Sequence, residues 1–148
     1  MDLSFQVMDA QNYFRCMHGV GPLGWDQHLA TVAEETARRN ANNGRIRHSR
    51  RGYGENLAEI EILDIHHASG FGVAKLWYDE IELYDFNRPR FTYKTGHVTQ
   101  LLWADTIRVG CGVEYNHGAI FVACEYSPPG NVYGQYERNV YPPLYRRP

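Results

Sequence analysis

The chain has 148 residues, 43% of them hydrophobic and 22% charged, with a formal net charge of -2. That length supports one sizeable core and is too short for two ordinary domains, so residues 1–148 are expected to form a single domain. The near-neutral balance excludes a dedicated nucleic-acid binder, which carries a large basic excess, and no apolar run approaches the roughly 20 residues of a transmembrane segment.

The charge is uneven along the chain. Arg38, Arg39, Arg45, Arg47, Arg50 and Arg51 form a basic stretch, followed at once by Glu55, Glu59, Glu61 and Asp64. Such a stretch reads either as a solvated face or as a surface drawn to anionic membrane headgroups or glycans. The opening residues MDLSFQVMDAQ lack the charged and apolar regions of a secretory leader, which leaves a cytosolic protein and a mature secreted one both open. Asp2 stands where N-myristoylation needs glycine, and there is no Asn-x-Ser/Thr sequon.

The first predicted helix runs from Phe5 to Cys16, with Phe5, Met8, Tyr13 and Cys16 near helical spacing, and Gly19, Gly21 and Pro22 stop it. Asp26 reads as the N-cap of a second helix whose buried face is Leu29, Val32, Ala33, Thr36 and Ala37 and which ends at Asn43 and Gly44. Gly52 and Gly54 break any period, so a loop leads into a short strand near Asn56 to Ile60. A third helix is expected from Ser69 to Tyr84, burying Val73, Leu76, Trp77, Ile81 and Tyr84, and Asn87, Arg88 and Pro89 end it. Trp77 and Trp103 read as core residues.

The last third changes period. Cys111, Val113 and Tyr115, then Ile120, Val122 and Cys124, alternate about Asn116-His117-Gly118, the pattern of a β-hairpin. A two-residue turn at His117-Gly118 sets Tyr115 opposite Ile120, Val113 opposite Val122 and Cys111 opposite Cys124. That register makes a Cys111–Cys124 disulfide geometrically reasonable; two reduced, buried cysteines, or a longer turn that shifts the register, are the alternatives. Cys16 is left over. Pro128-Pro129-Gly130-Asn131 reads as the turn leaving the hairpin, and residues 141–148 as an extended tail that includes Arg146 and Arg147. Helices first and antiparallel strands last indicate an α+β layer fold.

Four segments carry a family resemblance. GHVTQLLW at Gly96 to Trp103 is similar to a Gly-His-aromatic-Thr-Gln-x-Val-Trp signature, with Val98 and Leu102 departing from it. CEYSPPGN at Cys124 to Asn131 matches a second signature. Gly54-Glu55-Asn56-Leu57 resembles a Gly-Glu-Asn-Leu segment, and Gln11-Asn12-Tyr13-Phe14-Arg15 a His-Asn-x-x-Arg opening in which Gln11 replaces the histidine. Together they resemble the cysteine-rich secretory protein, antigen 5 and pathogenesis-related 1 superfamily, the CAP family, in a layout close to its Golgi-associated plant pathogenesis-related-like branch. The resemblance implies a three-layer α-β-α sandwich, helices around a small, mainly antiparallel sheet.

It also implies a cleft of two histidines and two glutamates, carried here by His48, Glu55, Glu80 and His97. In that reading His48 and His97 hold a divalent metal, zinc above others, while Glu55 and Glu80 orient the rings or act through water. A hydrogen-bonded structural cluster is the alternative, and no organic cofactor is expected. His66 and His67 are neighbours whose side chains would diverge by about 100° on a helix, so they make a poor chelate. Members of the family are associated with sterol and fatty-acid binding, and Tyr84, Phe86 and Phe91, with Tyr93 close by, have the aromatic spacing linked to it. Tyr84 and Phe86 read equally well as anchors of the helix end.

The expected function is therefore a non-enzymatic lipid or sterol binder with a metal cleft, secreted or facing a membrane. The alternatives are a cytosolic membrane-associated protein, an interaction module in host defence or parasitism, and a metal-dependent hydrolase with Glu55 or Glu80 as general base. A Ser-His-Glu arrangement using Ser49 beside His48 is a further, weaker reading, because no nucleophile-elbow sequence surrounds it.

Overall fold

A computed structural model describes residues 2–145, so Arg146 and Arg147 of the expected tail lie outside the described residues. Helix α1 spans Leu3–Met17, and the Asp2 carboxylate accepts a hydrogen bond from the Ser4 amide at 3.1 Å. Its buried face is Val7, Ala10, Gln11, Phe14 and Arg15, whereas Phe5, Tyr13 and Cys16, expected inside, are exposed. The stripe is rotated because Gln11 and Arg15 enter the core with their polar ends satisfied there. The Arg15 guanidinium donates to the carbonyls of Gly21, Leu101, Trp103 and Thr106 at 2.8 to 3.0 Å. Burial lowers its pKa to about 10, which still leaves it charged at neutral pH.

Strand β1 is the two-residue Gly24–Trp25, which the sequence pattern does not announce. Helix α2, Gln27–Asn43, follows the expectation closely. Asp26 accepts from the Leu29 amide at 3.0 Å, and Gly44 takes the left-handed C-cap at φ 67°. Its expected inner face, Leu29, Val32, Ala33, Thr36 and Ala37, is buried.

Strand β2 is Gly54–Glu61, longer at both ends than expected. Helix α3 covers only Gly70–Tyr78, with Ser69 as its N-cap, and gives way to a 3₁₀ helix at Asp79–Leu83. Of its expected stripe Val73, Trp77 and Tyr84 are buried and Ile81 packs against the core, but Leu76 is exposed. Helix α4, Gly96–Leu102, forms over the first signature, and β3, Arg108–Asn116, and β4, Ala119–Ser127, form the hairpin.

The sheet runs in the order β1-β3-β4-β2, parallel only between β1 and β3. The hairpin has the expected register: Tyr115 pairs with Ile120, Val113 with Val122 and Cys111 with Cys124. His117 and Gly118 both have positive φ, as a tight two-residue hairpin turn requires. Cys111 and Cys124 are disulfide-bonded, with Cα atoms 4.1 Å apart.

Alternation along β4 builds the layers. Ile120, Val122, Cys124 and Tyr126 join the main core with α1, α3 and α4, while Phe121 and Ala123 pack toward α2 with Ala33, Ala37 and Ala41. Gly112 permits that second contact, because a Cβ there would sit 2.6 Å from the Glu34 Cα. The result is the expected α-β-α sandwich. Strand β2 lies at its edge, with Leu57 turned toward α2 and Ala58 toward the other helices, so residues at its start can reach both layers. Among the described residues no helix is long and apolar enough to cross a membrane.

Candidate functional site

The site forms where β2 begins. His48, on the loop before β2, hydrogen-bonds through its Nδ1 to Glu55 Oε1 at 2.7 Å. Glu55 also accepts from the Ser49 amide at 2.9 Å and the Ser49 hydroxyl at 2.5 Å. Burial alone would raise the Glu55 pKa, but these bonds more than offset it and hold the carboxyl below the usual range. The same bond to Glu55 raises the His48 pKa against the opposing effect of burial.

The second pair comes from the opposite layer. Glu80, in the 3₁₀ helix, accepts from the backbone amides of His97 and Val98 at 2.9 and 3.0 Å and so caps the start of α4. Its other oxygen lies 2.8 Å from His97 Nδ1. Trp77 stacks behind the His97 ring, with centroids 6.2 Å apart and planes 8° from parallel. In both histidines Nδ1 is committed to a carboxylate, and Nε2 makes no hydrogen bond among the described residues.

The two signatures meet here. Gln100 of α4 accepts from the Gly130 amide at 2.9 Å, and a Cβ on Gly130 would sit 2.6 Å from Gln100 Nε2. Thr99 donates to Asn131 Oδ1 at 2.5 Å, and Asn131 Nδ2 returns a bond to the Gly96 carbonyl at 2.9 Å. Asn56, the neighbour of Glu55 in β2, donates to the His97 carbonyl at 3.0 Å. One network thus ties the start of β2, the helix carrying His97 and the loop after β4 into a single frame.

Three pockets adjoin across this frame. One of about 190 Å³ is lined by His48, Glu55, Asn56, Phe91, Tyr93 and His97 among others, so both histidines face the same space. Through His48, Glu55 and Asn131 it joins a pocket of about 290 Å³ bordered by Arg50, Tyr53 and Gln100. Through Phe91 and Asn131 it joins the largest, about 650 Å³, walled by Pro89, Arg90, Tyr133 and Tyr136. Glu80 instead lines an apolar hollow of about 480 Å³ on the other side of His97, with Ile46, Leu76 and Leu83.

The aromatic loop divides into two halves. Tyr84 is buried and Phe86 packs edge-on against it at 4.9 Å, so both anchor the chain after the 3₁₀ helix. Phe91 and Tyr93 are 47% and 94% exposed, and only these two reach the pockets. Tyr133 and Tyr136, which complete the large pocket, follow the second signature, and nothing in their spacing points to the loop they face.

Other candidates part from the site. His67 pairs with Asp64 at 2.9 Å in the turn before α3, away from the four-residue cleft. The Ser49 hydroxyl donates to Glu55 and not to an imidazole, so Ser49 and His48 share a carboxylate and make no nucleophile-base pair. Among the described residues no group of three or more His, Cys, Asp or Glu side chains is arranged to hold a metal ion. The donor set available to a cation is the two free Nε2 atoms, each oriented by a carboxylate on the far side of its ring.

The family model for the cysteine-rich secretory protein family matches residues 8–126. The chain is 37% identical over 145 residues to the human Golgi-associated plant pathogenesis-related protein 1, covering 93% of this chain and 92% of that protein. It is also 37% identical over 130 residues to the basic form of pathogenesis-related protein 1 of Nicotiana tabacum, covering 86% and 71%. In architecture it is similar to the Schistosoma mansoni venom allergen-like protein 4, with a TM-score of 0.71 at 21% identity over 97% of this chain and 96% of that one.

Proposed function

Since the chain belongs to the cysteine-rich secretory protein family, we propose that it is a non-enzymatic carrier of an apolar ligand such as a sterol, held in the groove beside the histidine-glutamate cleft. The observation that carries this reading is the adjacency of the three pockets, which share lining residues. Phe91, Tyr93, Tyr133 and Tyr136 supply flat apolar walls, and His48, His97 and Asn131 supply a polar neighbour at one end. A volume of about 650 Å³ lies within the ordinary range for a small-molecule site. The rigid aromatic faces offer contact area at low entropic cost.

A divalent ion such as zinc would be held through Nε2 of His48 and His97, with water in its remaining positions. With two protein ligands it would bind modestly and help order the polar end of the groove. Catalysis is the weaker reading because Glu55 is occupied by His48 and Ser49, and Glu80 by His97 and the start of α4, so neither is free to act as a base. The disulfide favours an oxidising compartment, which supports a secreted or lumenal location.

The test is equilibrium binding of a fluorescent sterol to the parent and to a Phe91→Ala, Tyr133→Ala double variant. Both side chains are exposed, so the fold should persist by circular dichroism. The reading expects binding to weaken at least about tenfold, two lost aromatic contacts being worth more than 1.4 kcal/mol together. Equal binding would reject the groove as the site.

A further inference from the structure

Arg50 is a non-glycine residue at φ 55°, in the left-handed region that disfavours a side chain with a Cβ. It is exposed, and its guanidinium makes no hydrogen bond or ion pair among the described residues. Two of its neighbours differ: Arg51 pairs with Glu35 at 3.3 Å, and Arg39 donates to the Arg47 carbonyl at 2.7 Å. A backbone outlier beside a pocket is where strain is retained for function. Arg50 borders the pocket of about 290 Å³ together with His48 and Tyr53. Glu55, the carboxylate that lines the same pocket, has a side chain only 5% exposed, with both oxygens tied to His48 and Ser49.

The trough therefore has unlike ends, an aromatic one at Phe91, Tyr133 and Tyr136 and a cationic one at Arg50. Arg90, at the aromatic end, is the competing cation. Unlike Arg50 it has ordinary backbone geometry and neither the His48 imidazole nor the Tyr53 hydroxyl beside it.

We propose that Arg50 seats the anionic head of an amphiphilic ligand whose apolar body lies against Phe91 and Tyr133. The ligand class is an apolar molecule ending in a sulfate, phosphate or carboxylate, the oxyanions that a guanidinium fork binds in bidentate fashion. This rests on the binding-protein reading above and adds the identity of the ligand's polar end.

The test compares a sterol 3-sulfate with its uncharged parent sterol on the full chain, as the parent protein, R50Q, R50K and R90Q. The sulfate should bind the parent protein about 5- to 10-fold more tightly than the neutral sterol, as one charge-assisted contact allows. R50Q should abolish that preference, the sulfate and the neutral sterol then binding that variant equally, R50K should keep part of it, and R90Q should keep it whole. Equal affinities in the parent protein, a preference that survives R50Q, or one lost in R90Q instead would each overturn the proposal and leave the sterol reading standing. Failure of both sterols to bind would overturn the two together. Inorganic sulfate is the last arm, and binding as tight as that of the sterol sulfate would show a free-anion site and overturn the amphiphile.

Discussion

Glu125 lies directly across the ladder of β2 and β4 from Glu55, and its side chain is fully buried. No hydrogen bond of ordinary geometry closes on either of its oxygens among the described residues. Burial first, and contact with and repulsion from the neighbouring Glu55 carboxylate second, push the Glu125 carboxyl far above the usual range, against opposing effects of Arg51 and Thr36. Glu125 is the member of the pair that keeps its proton, and Glu55 the one that stays ionised for His48.

This fixes a pH dependence. Folded Glu125 holds a proton that the unfolded chain releases above the ordinary carboxylate range, so stability falls as pH rises from about 5 upward. Glu125→Gln removes that linkage. Thermal unfolding at pH 5 to 8 should show E125Q gaining on the parent as pH rises, by one to a few kcal/mol at pH 8, since each full unit of linkage is worth about 1.4 kcal/mol. Parallel curves for the two proteins would contradict the assignment.

Arg15 holds four backbone carbonyls from two stretches of chain, Gly21 and residues 101–106. Arg15→Met fits the space but leaves those acceptors unpaired. The expected loss is about 3 kcal/mol or more, read as a lower denaturation midpoint with little change in slope. A cost under about 1 kcal/mol would mean that water replaces the guanidinium.

Gly112 lies under α2 with no room for a methyl group. Gly112→Ala should cost about 2 kcal/mol or more through displacement of the helix. Gly21→Ala, where nothing approaches the added atom and φ is not positive, should be close to neutral. Equal thermal shifts for the two would show that α2 is not rigidly seated.

Zinc titration by calorimetry should give one weak event that His48→Ala and His97→Ala each abolish and His66→Ala leaves intact. The geometric basis is that His48 and His97 share one pocket with Nε2 free, while His66 lies on the turn before α3. An unchanged isotherm in either cleft variant would remove the metal from the account.

The hairpin register and the bounds of α2 were legible because local rules govern them. A glycine in a two-residue turn and an Asp-to-Gly pair of caps act within a few residues. The face of α1 was not legible, since Gln11 and Arg15 look like surface residues until Tyr126 and the carbonyls of Leu101, Trp103 and Thr106 are placed around them. The same holds for the site. Motif resemblance places His48, Glu55, Glu80 and His97 in a cleft, but that Nδ1 of each ring turns to a glutamate depends on Glu80 capping α4 from 17 residues away. Tyr133 and Tyr136 escaped notice because their partner, Phe91, is distant in sequence.

The most direct measurement of the central claim is native mass spectrometry of the intact protein after incubation with vesicles containing a sterol. The account predicts a folded, disulfide-bonded chain carrying a single lipid adduct, lost in the Phe91→Ala, Tyr133→Ala variant. A parent protein that stays bare at saturating sterol would contradict it.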